Sequence, residues 1–569
     1  MEHDLVRRSL SFDLTARPWI GVFGRDGAHE EMSLREVFAR AGELRRLVGD
    51  VPTQEFALLR LLLAIVHDAL DGPADLEEWA ELWADERCFA PMGAYLERHR
   101  ERFDLLHPTT PFFQVADLRT ARDEVFSLNR IVADVPNGEP FFSARQPSVG
   151  RLSFGEAARW VVHAHAYDTS GIKTGVVGDD RAKGGKVYPL GVGWAGTLGG
   201  VFIEGATLRE TLLLNLIAAD ATGLDLDSDD RPAWRHEVCG PGGRAGMQPS
   251  GVRELYTWQT RRLRLHFGPN GVHGVVLGYG DPLAPHNMQS REPMTAWRRS
   301  PTQEKKLGKS PVYLPREHDP SRAVWRGLAA LMAERPVEAQ GAEAAAGLRP
   351  AVVEWVARLA TDGRLPRSFL LRARAVGASY GTQQSVIDEI VDDHLVMAAV
   401  LLHQHDRAYA QQALDAVADV EAAVTALGDL ASDLARAVGG RSEVSRARIR
   451  ERGFAALDDS YRLWLRSLAE ADDPQSERTG WQHKVYDVTS RLGCQLLAEA
   501  GDAAWQGRIV SARRGHVWLN SGAAERWFRY RLGNVLGWPG GTGDRGSFPS
   551  AAASDSASSA ESPVEGALS

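Results

Sequence analysis

The stretch FLLRARAVGASYGTQQSVIDEIVDDHLVMAAVLLHQ, residues 369–404, decides between two folds. Residues 369–376, FLLRARAV, are mostly apolar and are followed by glycine, and they read as a strand. Gly377-Ala378-Ser379-Tyr380-Gly381 then satisfies G-x-S-x-G, the spacing that lifts a serine nucleophile onto a sharp strand-to-helix turn. The following SVIDEIVDDHLVMAAVLLHQ repeats its apolar residues at helical intervals and predicts a helix. Asp392 and His403 even follow in the chain order of a hydrolase triad. A hydrolase, however, needs strands beyond the elbow to carry its acid and histidine, and residues 385–536 read almost wholly as helix. No HGGG-type oxyanion segment precedes the serine either. The stretch therefore reads as the passage from a mixed α+β domain into a helical bundle, with a serine esterase using Ser379 as the competing reading.

Downstream, an Ala-rich helix through Ala431, ARIRERGFAALDDSYRLWLRSL and VYDVTSRLGCQLLAEAGDAAWQ are long, amphipathic and joined by short polar connections, the pattern of an up-and-down four-helix bundle. The Ser/Ala/Gly-rich segment beyond Gly540 is too poor in apolar groups to fold and is expected to be a disordered tail. Upstream, SFDLTARPWIGVFGRDG predicts short strands closed by Asp26-Gly27. Ser33 and Glu36 stand at capping-box spacing, and Val37, Ala41, Leu44 and Leu47 extend a helix from them. Residues 56–70 form a helix apolar enough to be buried nearly all round, in spite of Arg60, and residues 76–83 form another. From His107 to about residue 200 the chain is rich in Gly, Pro and aromatics, which favours loops and short strands. TRRLRLHFGPNGVHGVVLGYG predicts a hairpin turning at Gly268-Pro269-Asn270-Gly271. The expected organisation is a mixed α+β domain over 1–378, a C-terminal four-helix bundle over 379–538 and a tail over 539–569.

A chain of 569 residues suits about two to four domains, and 44% apolar with 25% charged residues is the composition of folded protein. Cys88, Cys239 and Cys494 are far apart, so neither a disulfide framework nor a cysteine-rich zinc site is supported, and a reducing cytoplasm fits. The N-terminus lacks a signal-peptide run, and the most apolar stretch, FALLRLLLAIV, is about half a membrane span. The net charge of −9 excludes a globally basic nucleic-acid binder. Locally, Arg253–Lys309 carries ten Lys or Arg against four Asp or Glu, whereas Asp415–Asp433 carries five acids and no base. Two differently solvated faces, or one surface suited to a polyanion, would each account for that segregation.

Other motif matches fail on context. Gly191-Val192-Gly193-Trp194-Ala195-Gly196 fits G-x-G-x-x-G, but the TLGGVFIEG that follows cannot supply the helix whose N-terminus would face a pyrophosphate. Gly185-Lys186 is followed by Val187 rather than Ser or Thr, so it is no Walker P-loop. His394, His403 and His405, and separately His236 with Cys239, are not spaced to converge on a metal. No catalytic constellation, metal site or cofactor is expected.

Several segments together resemble the large subunit of the type I-E CRISPR surveillance complex Cascade, the CasA family. LTARPWIGVFGRDG followed by SLREVFARAGELRRL, then EFALLRLLLAI, HPTTPFFQ, VFIEGATLRETLLLNLI, SYGTQQSVIDE and a terminal helical region occur in the family's order across about residues 10–535. The resemblance implies a subunit that catalyses no chemistry, recognises a protospacer-adjacent motif (PAM) in double-stranded DNA, starts strand separation for R-loop formation and helps to recruit a helicase-nuclease. Its implied partners are target DNA, the other Cascade subunits with their guide RNA (crRNA), and that nuclease, in the cytoplasm and at no membrane.

The implied site residues carry over by motif. The family's PAM-proximal loop matches Phe141, Phe142, Ser143 and Ala144 ahead of Gln146-Pro147. Its glycine-rich loop matches Lys183, Gly184, Gly185 and Lys186, where glycine would let backbone approach the minor groove and the lysines would meet phosphates. Its wedge, a glutamine four residues after a tyrosine, matches Gln384 after Tyr380. The family's minor-groove lysine has no match, leaving Arg264 or Arg291 as its substitute, and the basic residues at 261–264 and 298–309 would meet DNA phosphate.

Overall fold

In the computed structural model, which describes residues 10–133, 149–221, 223–226, 229–244, 246–332, 345–512 and 515–537, the first expected strands form as β1 (Ile20–Gly24) and β2 (His29–Met32), paired antiparallel with Val22 opposite Glu30. The capping box is present at α1 (Leu34–Ala39): the Glu36 amide donates to Ser33 Oγ at 3.3 Å, and the Ser33 amide to the Glu36 carboxylate at 2.8 Å. The helix stops there. Leu44 and Leu47, expected as its continuation, lie in β3 (Leu44–Val48) on the other edge of β1. A bulge near Arg45 opposite Phe23/Gly24 inserts one extra residue, so positions three apart come to share a face and imitate a helical interval.

Helix α2 (Pro52–Leu70) is buried without a break from Thr53 to Asp68. Arg60 is tolerated in it because both its terminal nitrogens donate to Glu292 at 2.8 Å, while Glu292 also accepts from Trp194 Nε1 at 2.7 Å. A buried charge of this kind persists only when paired and hydrogen-bonded. Helix α3 (Phe154–Tyr167) packs beside α2 and leads to β4 (Lys173–Thr174), which pairs with β5 (Lys186–Val187); β6 (Gly200–Glu204) follows. The long hairpin forms as expected: β7 (Arg261–Gly268) meets β8 (Gly271–Tyr279) with Leu263 opposite Leu277 and Gly268 opposite Gly271. A small sheet of order β10-β9-β11 comprises β9 (Trp297–Arg299), β10 (Tyr313–Pro315) and β11 (Gly347–Leu348), with α4 (Pro301–Leu307) between the first two; α5 (Ala351–Thr361) comes next.

Residues 369–404 form an antiparallel hairpin, β12 (Leu370–Tyr380) and β13 (Ile387–Ala398), in a sheet of order β13-β12-β6. The helix expected over SVIDEIVDDH is thus a strand. Val391, Leu395 and Met397 also share one face at a twofold period, and the free edge of β12 takes the segment up residue for residue, from Leu370–Ala398 to Ser379–Glu389. Arg374 locks the pair, gripping both oxygens of Asp392 at 2.7 and 2.9 Å and Glu55 of α2 at 2.6 Å. The division expected at 378/379 would cut β12; the first compact unit instead runs through Leu414 and includes Leu465–Asp472, while the second comprises Asp415–Trp464 and the chain from Asp473 onward.

Four long helices dominate the C-terminal region: α6 (Ala408–Val438), α7 (Ser442–Ser467), α8 (Pro474–Glu499) and α9 (Ser521–Val535). Within the second unit Tyr461, Trp464 and Trp481 form an aromatic cluster with centroids 5.6–5.8 Å apart, Trp464 stacked on Trp481 and Tyr461 edge-on to Trp481, and Arg478 binds Asp415 and Asp419 at 2.8 and 2.9 Å. The almost wholly helical expectation misses the hairpin β14 (Arg508–Ala512) and β15 (Gly515–Leu519), whose five-residue strands are too short to register against the helical pattern around them. The class is α+β, with a mixed N-terminal part and C-terminal helices; the tail over 539–569 lies outside the described residues. Among the described residues no helix is long and apolar enough to cross a membrane.

Candidate nucleic-acid interface

The segment that ends α3 is the scaffold of the site. Asp168 is buried between Lys173, 2.8 Å away, and the Nε of Arg261. Burial opposes its charge, but Lys173 and Arg261 together hold its carboxyl below the usual carboxylate range. Arg261, 2% exposed, also donates to the carbonyls of Asp168 (2.7 Å), Thr169 (3.0 Å), Gly191 (3.1 Å) and Thr260 (3.0 Å). Tyr279 donates its hydroxyl to Gly171 O at 2.8 Å, so residues 168–174 are fixed to the β7–β8 hairpin.

Two elements converge on this ledge. The first is the turn between β4 and β5, where Lys183 and Lys186 exchange backbone hydrogen bonds at 2.8 and 3.2 Å. Gly184 and Gly185 have φ of 59° and 75°, the two left-handed positions of a type I′ hairpin turn. A Cβ at either would meet nothing within 4 Å, so glycine is required there by backbone conformation, and the space above the tip is open. Lys183, Gly184, Gly185 and Lys186 are all exposed. Arg181 secures the base of this loop, pairing both nitrogens with Asp179 at 2.8 and 2.9 Å and donating to Tyr279 O and Gly280 O.

The second is the turn between β12 and β13. Gln383 and Gln384 have φ of 57° and 54°, consecutive left-handed positions that cost non-glycine residues on the order of 1–2 kcal/mol each. The surroundings hold them there: the Ser170 amide donates to Gln384 O at 2.8 Å, and Tyr380 donates to Tyr167 O at 2.7 Å. Burial pushes the Tyr380 hydroxyl well above its ordinary pKa, keeping it a donor. The Gln384 side chain is exposed at the tip. The glycine run at 191–196 serves this packing. A Cβ on Gly193 would strike the backbone at Ala166, one on Gly196 would strike Tyr380 OH, and only the single turn Trp194–Thr197 follows.

The remaining expectations divide. Phe141, Phe142, Ser143 and Ala144 lie outside the described residues. Their flanks reach the ledge, with Arg130 donating to Thr174 Oγ1 at 2.9 Å and the Val149 amide to Asn129 at 2.8 Å. Arg261 and Arg262, expected at phosphates, are buried structural groups, Arg262 donating to Asp281, Gly240 O and Gln259 O. Arg264 is half-buried in β7 opposite Val276, and Arg291 is tied to Asp225 at 3.1 Å. Arg298, Lys305, Lys306 and Lys309 are exposed around β9 and α4, while Arg299 is engaged by Glu304 at 2.6 Å. Asp388 and Glu389 leave the β13 side of the glutamine turn acidic and exposed, so phosphate would favour the lysine side. Ser379 sits within a strand opposite Glu389, not on a strand-to-helix turn, and the nucleophile elbow is not formed. Among the described residues no group of three or more His, Cys, Asp or Glu could hold a metal.

Sequence reasoning missed the organisers Asp168, Ser170 and Arg181. Asp168 acts through its carboxylate, Ser170 through its amide and hydroxyl, and Arg181 through Asp179 and two backbone carbonyls, roles with no spacing signature.

Comparison with known proteins covers most of the chain. A crystal structure of Thermobifida fusca Cse1 superposes with a TM-score of 0.86 at 57% identity, covering 93% of this chain and 98% of that one. The CRISPR-associated protein CasA/Cse1 of Thermus thermophilus is 31% identical over 300 residues, which is 50% of this chain and 55% of that protein, so the match spans about half the length of this curated relative. A chain from a structure described as a CRISPR RNA-guided surveillance complex shares the fold, with a TM-score of 0.63 at 20% identity over 85% of this chain and 99% of that chain. The family model for CRISPR-associated protein Cse1 matches residues 13–492, and with the fold, the ordered motifs and the crystal structure all agreeing, the chain belongs to the Cse1 (CasA) family.

Proposed function

We propose that the chain is the non-catalytic DNA-reading subunit of an RNA-guided surveillance complex in the cytoplasm. In this reading it sits with companion subunits and a guide RNA, recognises a PAM in the minor groove of duplex DNA, begins strand separation and helps to recruit a helicase-nuclease. The observation that carries the reading is the convergence of the Lys183–Lys186 turn and the Gln384 turn, some two hundred residues apart in sequence, on residues 168–174. The open space above Gly184 and Gly185 suits a groove that leaves no room for side chains, and Lys183 and Lys186 flank it as phosphate contacts. Gln384 acts as the wedge at the first base step. Arg264 and the exposed bases of 298–309 extend the contact to phosphates further along the duplex.

Opening one base step costs about 1.4 kcal/mol, and the RNA–DNA pairing that follows roughly balances the duplex lost, so no nucleotide hydrolysis is needed to begin. Minor-groove readout is degenerate, and several related PAM sequences should be accepted. The test is binding of the assembled complex to duplexes with and without a PAM over a salt series. Replacing Lys183 and Lys186 together by Ala should weaken PAM-duplex binding and lower the slope of log affinity against log salt by roughly two, one per phosphate. An unchanged affinity and slope would remove the assignment.

A further inference from the structure

Two exposed apolar side chains lie between the elements of this interface. The strands pair Thr174 with Lys186 and Lys173 with Val187, and Ile172 and Tyr188 are the residues that come next on the two chains in that antiparallel order. Alternation along the strand turns Val187, 2% exposed, into the core and leaves Lys186 and Tyr188 on one outer face. Tyr188 is 66% exposed and Ile172 57%, with Val177 and Leu190 exposed nearby. Contiguous apolar surface of this kind marks a binding site more often than a lone exposed residue does.

The ground beneath the pair is tied down by hydrogen bonds. Gly171 O accepts from Tyr279, the Ser170 amide is held by Gln384 O, and Ser170 Oγ accepts from the Gly191 amide at 3.1 Å. Charge indicates the occupant. Lys183 and Lys186 are exposed, and among the described residues neither has a carboxylate within ion-pair distance. An ammonium and a phenol ring two residues apart on one strand face lie roughly 6–7 Å from each other, so one can hold a phosphate while the other reaches the base attached to it.

We propose that Tyr188, backed by Ile172, is the stacking platform for the nucleobase unpaired first when the duplex opens beside the Lys183–Lys186 turn. This rests on the DNA-reading function above and deepens it. Every base has a π-face, so the platform favours opening without adding sequence preference. Gln384 parts the step from its turn, and Tyr188 receives the base released.

The experiment uses the full chain assembled in its complex and a PAM duplex carrying 2-aminopurine at the first pair beside the PAM. Duplex capture is measured separately from the rate of opening. Tyr188→Ala should slow opening roughly tenfold, the size of one base–aromatic stack, with capture unchanged, and Tyr188→Phe should restore the wild-type rate. Ile172→Ser, which leaves the ring in place, should give a smaller loss of the same kind. A Tyr188→Ala variant that opens DNA at the wild-type rate would overturn the platform and leave the DNA-reading function standing. Equal losses in Tyr188→Ala and Tyr188→Phe would overturn stacking in favour of the hydroxyl. A wild-type complex indifferent to the PAM would overturn both.

Discussion

Replacing Arg261 by Lys tests whether the ledge is built as described, because it keeps the charge and removes the fork. The guanidinium donates from Nη2 to three carbonyls, those of Asp168, Thr169 and Gly191 at 2.7, 3.0 and 3.1 Å, from Nη1 to Thr260 O at 3.0 Å, and from Nε to the Asp168 carboxylate. A lysine can keep the carboxylate and reach at most one carbonyl, which leaves three without their donor. At about 1 kcal/mol per bond the loss is about 3 kcal/mol, a large fraction of a domain's ~5–15 kcal/mol. The damage is concentrated at residues 168–191, which hold both turns in place. Urea denaturation should therefore show a lower midpoint. Hydrogen exchange should show faster exchange of the Ser170 amide, whose acceptor is Gln384 O. Under conditions where the far-ultraviolet spectrum stays native, PAM-duplex affinity of the assembled complex should fall at least about tenfold, which is ~1.4 kcal/mol. Native Ser170 exchange together with native DNA affinity in Arg261→Lys would refute the scaffold role.

Further outcomes follow from other sites. Gly184→Ala forces a Cβ into a left-handed position at about 1–2 kcal/mol, whereas Gly184→Asn tolerates the turn; nuclear magnetic resonance should show the turn lost only in the first, while both weaken PAM binding, and full binding by Gly184→Asn would show that the tip does not approach DNA closely. Burial lowers His67 and His163 to about 3 and His165 to about 4, below their unfolded value of ~6.5. The unfolded chain then takes up protons that the fold refuses, so stability is complete above about pH 6.5 and is lost as pH falls toward 4; a urea midpoint flat over that window would contradict this. Ser379→Ala should leave DNA opening unchanged and remove no esterase activity, since the serine is opposite Glu389 within a strand; loss of ester hydrolysis in that variant would revive the hydrolase reading.

Much of the fold was legible because local signals and burial agreed. The Ser33–Glu36 box, the buried helix over 56–70, which begins four residues earlier at Pro52, and the Gly268–Gly271 hairpin each formed where their residues indicated. The failures share a cause. Ile387–Ala398 and Leu44–Val48 both carry apolar spacings compatible with a helix, and the neighbouring strand edge, not the local period, decided their conformation. Single-chain spacing does not contain that edge. The candidate site was legible in its tips and not in its support. Gly184-Gly185 and Gln384 announce themselves by chemistry, whereas Arg261, in the most basic part of the chain, looked like a phosphate ligand and is instead the buried post under both turns. A guanidinium saturated by carbonyls looks the same in sequence as one facing solvent.

The central claim is that the Lys183–Lys186 turn and the Gln384 turn act on one place in a double helix. A photocrosslinking side chain installed at Lys186 and, in a separate variant, at Gln384, with the full complex bound to a PAM duplex, tests it most directly. Crosslinks from both positions should map to the same few base pairs at the edge of the PAM. Crosslinks to well-separated stretches of DNA, or none from either position in a complex that has bound its target, would contradict the account.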